Sequence, residues 1–569
     1  MNPIIKAQLD EFKNSNSGES LKDHEFFEVM SIYSIENGIL GENIDPFSAH
    51  LKGDEFGVDG IAVLVQGELC VDSDQVESVL SVGKNHSSAF HFFQSKTSTS
   101  VDYGDVSKFL DGVYDFFAGP TLLKGTQIED LALARDKVFA SSARSNPELR
   151  CYFCTTGSGD VQEPVAKLIE SNRDRLEQLN AFSSITIECL GAKSIQAGFR
   201  SATKSISQTI SFSKSVALPT HSKVDQAYIG YVSADQVLGM ILGPPDQNGV
   251  RHVNRSVFYD NVRDFNPDSE INKSILSDIS SGEHDSFIFK NNGITVVAKS
   301  ISRKNDDFRL DDFQIVNGCQ TANILSLVAE DAAKITVPIR IISSSDPDFV
   351  SKIIVGTNKQ NQVSDDQFWA LLPFMKDLEV YCAAQSDEQK LFIERRENQY
   401  RDSHVERTRV IRPRDLMKVA VAMFYDQPNR AARDHRGIRK EYGSELFKEQ
   451  HSIELYHVAA LASYKFDYLV RTGRIERSRS LYKFYALCSL VREAFPKHSI
   501  LNASKKDRDR ICAKIITEVL DNDAFSSQVD AVSLKIERML PDGQGRTREQ
   551  LRDFIRTDGF RERFIASFS

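Results

Sequence analysis

The sequence contains little cysteine and no long hydrophobic run. Its 569 residues include 8 cysteines, which is too few for a disulfide-stabilised scaffold. Apolar stretches such as residues 61–65 are strand-sized and far short of the roughly 20 residues that cross a bilayer. The first residues lead into polar sequence without a secretory signal. These absences predict a cytoplasmic protein with reduced thiols and no membrane association.

Cys151 and Cys154 form an isolated CxxC. Tyr152 and Phe153 lie between them in an apolar stretch, and no second CxxC or histidine pair accompanies them. This pattern favours a buried strand over a zinc site.

The chain has no excess of positive charge. A net charge of −10 argues against a protein that coats nucleic acid non-specifically, since such proteins neutralise phosphates with Lys and Arg. A nuclease is not excluded, because it needs only a local basic channel and a metal. Hydrophobic content of 41% and charged content of 26% are typical of a globular protein.

The length and the periodicity predict an α/β (α+β) multidomain protein. Residues 1–195 alternate strands and helices, as in a compact α/β domain, and the Ser-, Thr- and Lys-rich stretch 196–220 is a candidate domain junction. Residues 196–345 show short β-rich runs, Ser286–Phe289 among them, and predict a mixed α+β domain. Residues 346–569 are mostly helical in spacing.

Three polar residues in the first domain suggest a metal site. Asp59 lies at the mouth of a strand, before a plausible hairpin, while Gln94 and Lys96 end another strand and share one face of it. Asp59 and Gln94 offer oxygen ligands for Mg²⁺ or Mn²⁺, and Lys96 can stabilise charge on a phosphate. Glu28, on a preceding helix, can complete the metal shell or hold a second ion.

These residues resemble the PD-(D/E)xK nuclease superfamily, in the restriction-endonuclease-like branch where Gln replaces the second acid. The resemblance implies a helix with Glu, then Asp before a hairpin, then QxK on the next strand. Glu28 matches the helical position better than Glu25. The long insertion between Asp59 and Gln94 departs from the pattern and weakens an argument from spacing. An Asp-Gly turn and a QxK are each common, so a fold that binds nucleic acid without cutting it stays open.

Four ordered blocks lie in the middle of the chain. They are residues 254–265 (NRSVFYDNVRDF), 289–295 (FKNNGIT), 314–321 (QIVNGCQT) and 357–363 (TNKQNQV). Together with Glu394-Arg395-Arg396 and Tyr400, they resemble the AIPR (abortive infection phage resistance) family over about residues 225–470. Members often carry an N-terminal restriction-endonuclease-like domain, which agrees with the nuclease motif.

The blocks are rich in amide side chains that donate and accept hydrogen bonds without charge. With nearby arginines they predict a pocket for a phosphate, a nucleotide or a nucleic-acid end. The alternative is that these amides satisfy buried turns. The candidate ligand-binding residues are Arg255, Arg263, Asn291, Asn292, Asn317, Gln320, Thr321, Asn358, Arg395 and Arg396.

Residues 390–440 hold 14 Lys and Arg against 7 Asp and Glu, which suggests either a phosphate track or a solvated helix face. Further on, the face carrying Leu455, Val458, Leu461 and Tyr464 suggests internal packing or a homodimer interface.

The expected function is therefore an antiphage defence nuclease that cuts DNA, in preference to RNA, with Mg²⁺. The AIPR-like region would regulate it in response to a nucleotide or a phage-derived trigger. The alternatives are an inactive nucleic-acid or nucleotide sensor and an RNA-cleaving abortive-infection effector.

Overall fold

The structure is a computed structural model with side chains. It describes residues 2–16, 21–40, 44–52, 57–80, 87–119, 123, 125–141, 146–203, 206–245, 251–254, 257–258, 273, 276–277, 279, 281–282, 284–344, 346–358, 369, 372–395, 398–401, 403, 405–495, 500–540 and 547–568.

The N-terminal unit is a five-stranded mixed sheet in the order β2-β1-β3-β4-β5. β1 is antiparallel to both β2 and β3, whereas β3, β4 and β5 run parallel. The strands are Gly60–Val65 (β1), Glu68–Cys70 (β2), Ser88–Lys96 (β3), Glu148–Thr155 (β4) and Ser184–Leu190 (β5). The helices are Pro3–Asn14 (α1), Asp23–Leu40 (α2), Ser73–Leu80 (α3), Tyr103–Ala118 (α4), Thr126–Ser141 (α5), Glu163–Glu177 (α6) and Ala192–Thr203 (α7).

Both faces of this sheet are covered by helices. Phe90 and Phe92 of β3 belong to the hydrophobic cluster that includes residues of α4, α5 and α6. Phe93, between them and Gln94, belongs to the cluster formed with α1, α2 and α7. Successive side chains of β3 therefore point into two different hydrophobic cores, one on each face of the sheet. Because both faces of β3 are buried, its sequence is apolar on both sides.

The central unit is a six-stranded sheet in the order β6-β12-β11-β13-β8-β7. Its strands are Ser207–Ser211 (β6), Lys214–Ala217 (β7), Gln226–Ser233 (β8), Ile294–Lys304 (β11), Asp307–Asn317 (β12) and Thr336–Ser343 (β13), with a separate pair, Leu242–Pro245 (β9) and Arg251–Val253 (β10). The helices are Ala234–Ile241 (α8), Phe287–Lys290 (α9), Cys319–Leu327 (α10) and Pro347–Asn358 (α11), with 3₁₀ turns at His284–Ser286 and Ala329–Lys334.

The C-terminal helical unit surrounds the hydrophobic cluster that extends from Trp369 to Phe564. A short parallel pair, Phe392–Ile393 (β14) and Val410–Ile411 (β15), and 3₁₀ turns at Arg407–Arg409, Arg477–Tyr482 and Ile500–Asn502 accompany the helices. The helices are Pro373–Ala383 (α12), Pro413–Phe424 (α13), Pro428–Ala431 (α14), His435–Tyr442 (α15), Ile453–Arg471 (α16), Lys483–Ala494 (α17), Lys505–Leu520 (α18), Asn522–Arg538 (α19), Arg548–Ile555 (α20) and Asp558–Ala566 (α21).

The predicted α/β (α+β) multidomain architecture with a mostly helical C-terminal region is confirmed. None of the helices in the described ranges is long and apolar enough to cross a membrane.

The stretch 196–220 contains the end of α7, in the N-terminal unit, and the strands β6 and β7, which form the two edges of the central sheet. Its role as a domain junction stays a prediction. Two other local features differ from the sequence prediction. Ser286–Phe289 is helical instead of β-rich. Helix α7 continues past residue 195 because Ile195, Phe199 and Ala202 pack in the core formed with α2. Each of these segments takes the structure that its packing partners impose.

Candidate active site

The junction of β1 and β3 brings Asp59 against the Gln94-Ser95-Lys96 tripeptide. The Asp59 amide donates to the Phe93 carbonyl (2.8 Å), and the Asp59 carbonyl accepts from the Leu51 amide (2.8 Å). Its carboxylate Oδ2 accepts a hydrogen bond from the Ser95 amide (2.6 Å). Asp59 is therefore held on both sides, with its carboxylate beside the backbone that separates Gln94 from Lys96.

Gln94 is completely buried, with 0% of its surface exposed. Within the described part of the chain, neither its amide oxygen Oε1 nor its nitrogen Nε2 has a hydrogen-bond partner. Its side chain lies beside the loop at Gly57, where a Cβ would come within 2.8 Å of Gln94 Nε2 and 3.3 Å of the Phe109 amide. Gly57 has a φ of +69°. A glycine there allows the loop to approach Gln94 closely, because glycine has no side chain and tolerates positive φ.

Lys96 is the accessible member of the group, with 32% of its side chain exposed. Its Nζ lies 3.9 Å from the Asp105 carboxylate in the first turn of α4. Because β3 alternates, Lys96 and Gln94 lie on the same face of the strand. The same face of β3 therefore carries a buried amide at Gln94 and, two residues further on, an accessible ammonium at Lys96.

Glu28 lies on α2 and contacts His50, with 2.9 Å between Glu28 Oε2 and His50 Nε2. His50 pairs with Gly60 in an isolated antiparallel bridge, and its carbonyl accepts a hydrogen bond from Gln127 of α5 (3.0 Å). Glu28 is therefore connected to the Asp59 strand through His50. His50 was missed by the sequence analysis, because a histidine far from the motif has no spacing that marks it.

The donor set fits a hard divalent cation. Asp59 supplies a carboxylate and Gln94 a neutral amide oxygen, and oxygen ligands of this kind suit Mg²⁺ or Mn²⁺. The unpartnered Gln94 amide is the observation that favours a ligand here, because a buried amide without a partner is costly. Among the residues that the structure describes, no three His, Cys, Asp or Glu side chains form a ready-made metal cluster.

Cys151 and Cys154 lie buried on β4, as the sequence predicted, and both are free thiols. Burial, with a smaller contribution from the neighbouring Asp59 charge, raises the pKa of the Cys154 thiol to about 12. The thiols are therefore protonated packing groups at neutral pH.

All four central blocks meet in space. Phe258 of the first block forms an isolated parallel bridge with Ile315 of the third. Asn291 Nδ2 donates to Thr321 Oγ1 (3.0 Å), and Asn291 Oδ1 accepts from the Gly293 amide (2.8 Å). Asn317 Nδ2 donates to the Thr357 carbonyl (2.6 Å). These contacts favour the interpretation that Asn291 and Asn317 fix the turns around them.

The other predicted ligand-binding residues are distributed differently. Asn292 is exposed, and Gln320 is half-buried in the first turn of α10. Asn358 ends α11, but its side chain is not among the described ones. Arg255, Arg263 and Arg396 lie outside the described residues.

The basic stretch 390–440 makes internal ion pairs. Arg395 is 8% exposed in its side chain, and its Nε lies 2.5 Å from Glu379 Oε2. The other pairs are Arg409–Glu406 (2.7 Å), Arg412–Asp415 (3.0 Å), Arg414–Glu68 (3.5 Å) and Arg430–Glu441 (2.6 Å). A phosphate track along this stretch stays a prediction, and it would have to compete with these carboxylates.

The face of α16 that carries Leu455, Val458, Leu461 and Tyr464 is buried in the core of the C-terminal helical unit. Of the two roles that the sequence suggested for it, the structure supports internal packing.

These features describe a multidomain protein whose first unit carries a carboxylate–amide–ammonium site at a strand junction. Residues 258–540 match the family model described as AIPR protein, which confirms the AIPR resemblance for this part of the chain. The match covers most of the central and C-terminal helical units and excludes Asp59, Gln94 and Lys96. A search of curated proteins and one of solved structures found no match.

Proposed function

We propose that the N-terminal unit is a metal-dependent endonuclease, and that the protein serves antiphage defence by cutting DNA. The defence role is suggested by the AIPR match. The nuclease role is supported chiefly by Gln94, whose buried and unpartnered amide lies on the same strand as Lys96 and next to the strand that carries Asp59.

The proposed roles follow from chemistry and burial. Asp59 and Gln94 hold a divalent cation, which when bound acidifies a water molecule and neutralises charge on the scissile phosphate. Lys96, the accessible residue, binds the phosphate and stabilises the charge that develops on it. The order of Glu28 on a helix, Asp59 before the β1–β2 hairpin and Gln94 and Lys96 on β3 agrees with the nuclease resemblance.

Cleavage assays with the full chain test this proposal. Plasmid DNA and total RNA are incubated with the protein in Mg²⁺ or in EDTA. We expect cleavage of DNA in Mg²⁺, its absence in EDTA, and a loss of about 100-fold or more in Lys96→Ala. Lys167→Ala is the control, since Lys167 pairs with Glu163 on the exposed surface of α6. Equal behaviour of wild type and Lys96→Ala on both substrates would refute the nuclease role.

The alternatives have their own outcomes in the same assay. Cleavage of RNA alone would indicate an RNA-cleaving effector. Binding without cleavage, unchanged by Lys96→Ala, would indicate an inactive sensor. Cleavage only after a nucleotide or a phage extract is added would support regulation by the AIPR-like region. A homodimer that pairs two sites for double-strand cleavage is tested by light scattering.

A further inference from the structure

The contact between the N-terminal unit and the C-terminal helical unit is polar. Among the described residues, the buried hydrophobic clusters of the two units share no member: those of the first lie between Ile5 and Ala202, and that of the second between Trp369 and Phe564. Interfaces between domains allow relative motion unless they are large and hydrophobic. Shared hydrophobic packing therefore does not hold these two units together, and polar contacts must do so.

Arginines of the C-terminal helical unit bind acids of the N-terminal unit. The Arg548 guanidinium makes a bidentate ion pair with the Asp130 carboxylate of α5, with distances of 2.7 Å from Nε to Oδ1 and 3.1 Å from Nη2 to Oδ2. Asp74, at the start of α3, contacts both Arg552 of α20 and Arg556, which directly follows that helix. Arg552 and Arg556 also lie near Glu549 and Asp553 of their own unit, at 3.6–3.8 Å, so the acids of the N-terminal unit share these arginines with local carboxylates.

The charged groups at this junction are partly removed from water in the structure. Burial lowers the pKa of the Arg556 guanidinium to about 10, although the Asp72 charge opposes this. Burial likewise raises the pKa of the Asp72 carboxyl. Removing charges from water offsets much of their mutual attraction, so a junction of this kind is weaker than its geometry suggests.

The same junction reaches the segment that holds Asp59. Arg471, the last residue of α16, has its Nη1 3.7 Å from Asp45 Oδ2 and its guanidinium carbon 5.9 Å from the ring centroid of Phe47. The Lys52 ammonium donates to the Arg471 carbonyl. Residues 49–51 lie between these contacts, and there Leu51 donates to the Asp59 carbonyl.

A second connection runs through α5. Asp130, which Arg548 binds, lies one turn after Gln127, and Gln127 donates to the carbonyl of His50. His50 in turn contacts Glu28 and pairs with Gly60. Arginines of the C-terminal helical unit therefore bind both the segment 44–52, which pairs with Gly60, and helix α5, which contacts that segment.

We propose that these ion pairs form a reversible latch between the two units. When the pairs separate, the N-terminal unit undocks, and the segment 44–52 loses the contacts that fix Asp59. The latch gives the C-terminal helical unit, most of which the AIPR match covers, a physical means of controlling the candidate site. It goes beyond the proposed nuclease function, and its test involves no cleavage.

Hydrogen exchange of the full chain, read by mass spectrometry, tests the latch. Raising NaCl from 50 mM to 1 M shortens the Debye length from roughly 14 Å to about 3 Å. We expect exchange of residues 44–52 and 126–141 to become about tenfold faster, while the α6 peptide, which is outside the junction, changes less than about twofold. Small-angle scattering should show a larger radius of gyration at high salt. Unchanged exchange in both segments would overturn the proposal.

A pair of variants tests the Arg548–Asp130 contact itself. Arg548→Met and Asp130→Asn should each accelerate exchange in 44–52 about tenfold, because each leaves one buried charge without its partner. The double variant should be no faster than either single one, since both act through one contact. Arg510→Met, which breaks an exposed pair within α18, is the control. The latch would be refuted if the single variants left exchange unchanged, or if the acceleration in the double variant were the product of the two single accelerations. If a variant does not fold, the salt series on the wild-type protein tests the latch instead.

Discussion

Replacing Gln94 by leucine tests whether the site stores the cost of an unpartnered amide. Both polar atoms of the fully buried Gln94 side chain have no protein partner within the described residues. A buried polar group without a hydrogen-bond partner lowers the free energy of unfolding by about 1–3 kcal/mol, whereas leucine has a similar size and no polar atom. Without metal, Gln94→Leu should therefore stabilise the strand junction by about 1–3 kcal/mol.

The assay is hydrogen exchange of the β3 peptide, which reports the local free energy of opening. In EDTA, the expected gain corresponds to roughly 5- to 150-fold slower exchange in Gln94→Leu than in wild type. In Mg²⁺ at about 100 times its Kd, wild type should gain about 2.7 kcal/mol, and the variant little or nothing.

Gln127→Leu is the matched control, since Gln127 is also buried but donates to the His50 carbonyl. It should accelerate exchange, because the carbonyl loses its donor. Faster exchange in metal-free Gln94→Leu would mean that the amide does make hydrogen bonds in the protein, and would contradict a ligand-binding role for Gln94.

The remaining predictions concern three other positions. Glu28→Gln should retain the contact with His50 and most of the stability of the N-terminal unit, whereas Glu28→Ala should lose about 1–3 kcal/mol; equal thermal denaturation of both would contradict this. Burial lowers the pKa of His457 in the folded protein. The neutral side chain therefore contributes to the free energy of unfolding above the unfolded-state pKa of about 6.5, and this contribution is lost as the pH falls. Unfolding measured from pH 8 to 5 should show a slope reduced by up to about 1.4 kcal/mol per pH unit in His457→Gln. Gly318→Ala should destabilise the central unit by more than about 1 kcal/mol, because φ is +94° and its Cβ would lie 2.8 Å from the Gly293 carbonyl; an unchanged melting temperature would argue against it.

The sequence predicted best those elements whose periodicity is strong. The apolar spacing of residues 106–117 predicts a helix, and the apolar runs 149–155 and 185–190 predict strands. These elements are present as α4, β4 and β5 with small changes at their ends. Residues 72–88 are polar in sequence and predict a connection between two strands, but the structure has helix α3 there. Its polar face is turned toward arginines that are far away in sequence, so local pattern could not reveal it.

The candidate site was only partly predictable. The strand positions of Asp59, Gln94 and Lys96 follow from local pattern, and the structure brings them to one junction. The roles of His50 and of Gln127 depend on contacts between segments 22 and 77 residues apart. No single-sequence pattern encodes such pairs, because each residue is ordinary by itself.

The sequence alone determined the chemical types available to this protein: two strands that carry an acid, an amide and an amine, and the blocks that resemble AIPR proteins. Only the tertiary structure decided that Gln94 is buried without a partner, that Glu28 meets His50, and that the basic stretch makes internal ion pairs. The physical reason is that burial and pairing are properties of contacts between distant segments. A carboxylate or an amide acquires its energetic meaning from what surrounds it, and the chain order does not state those surroundings.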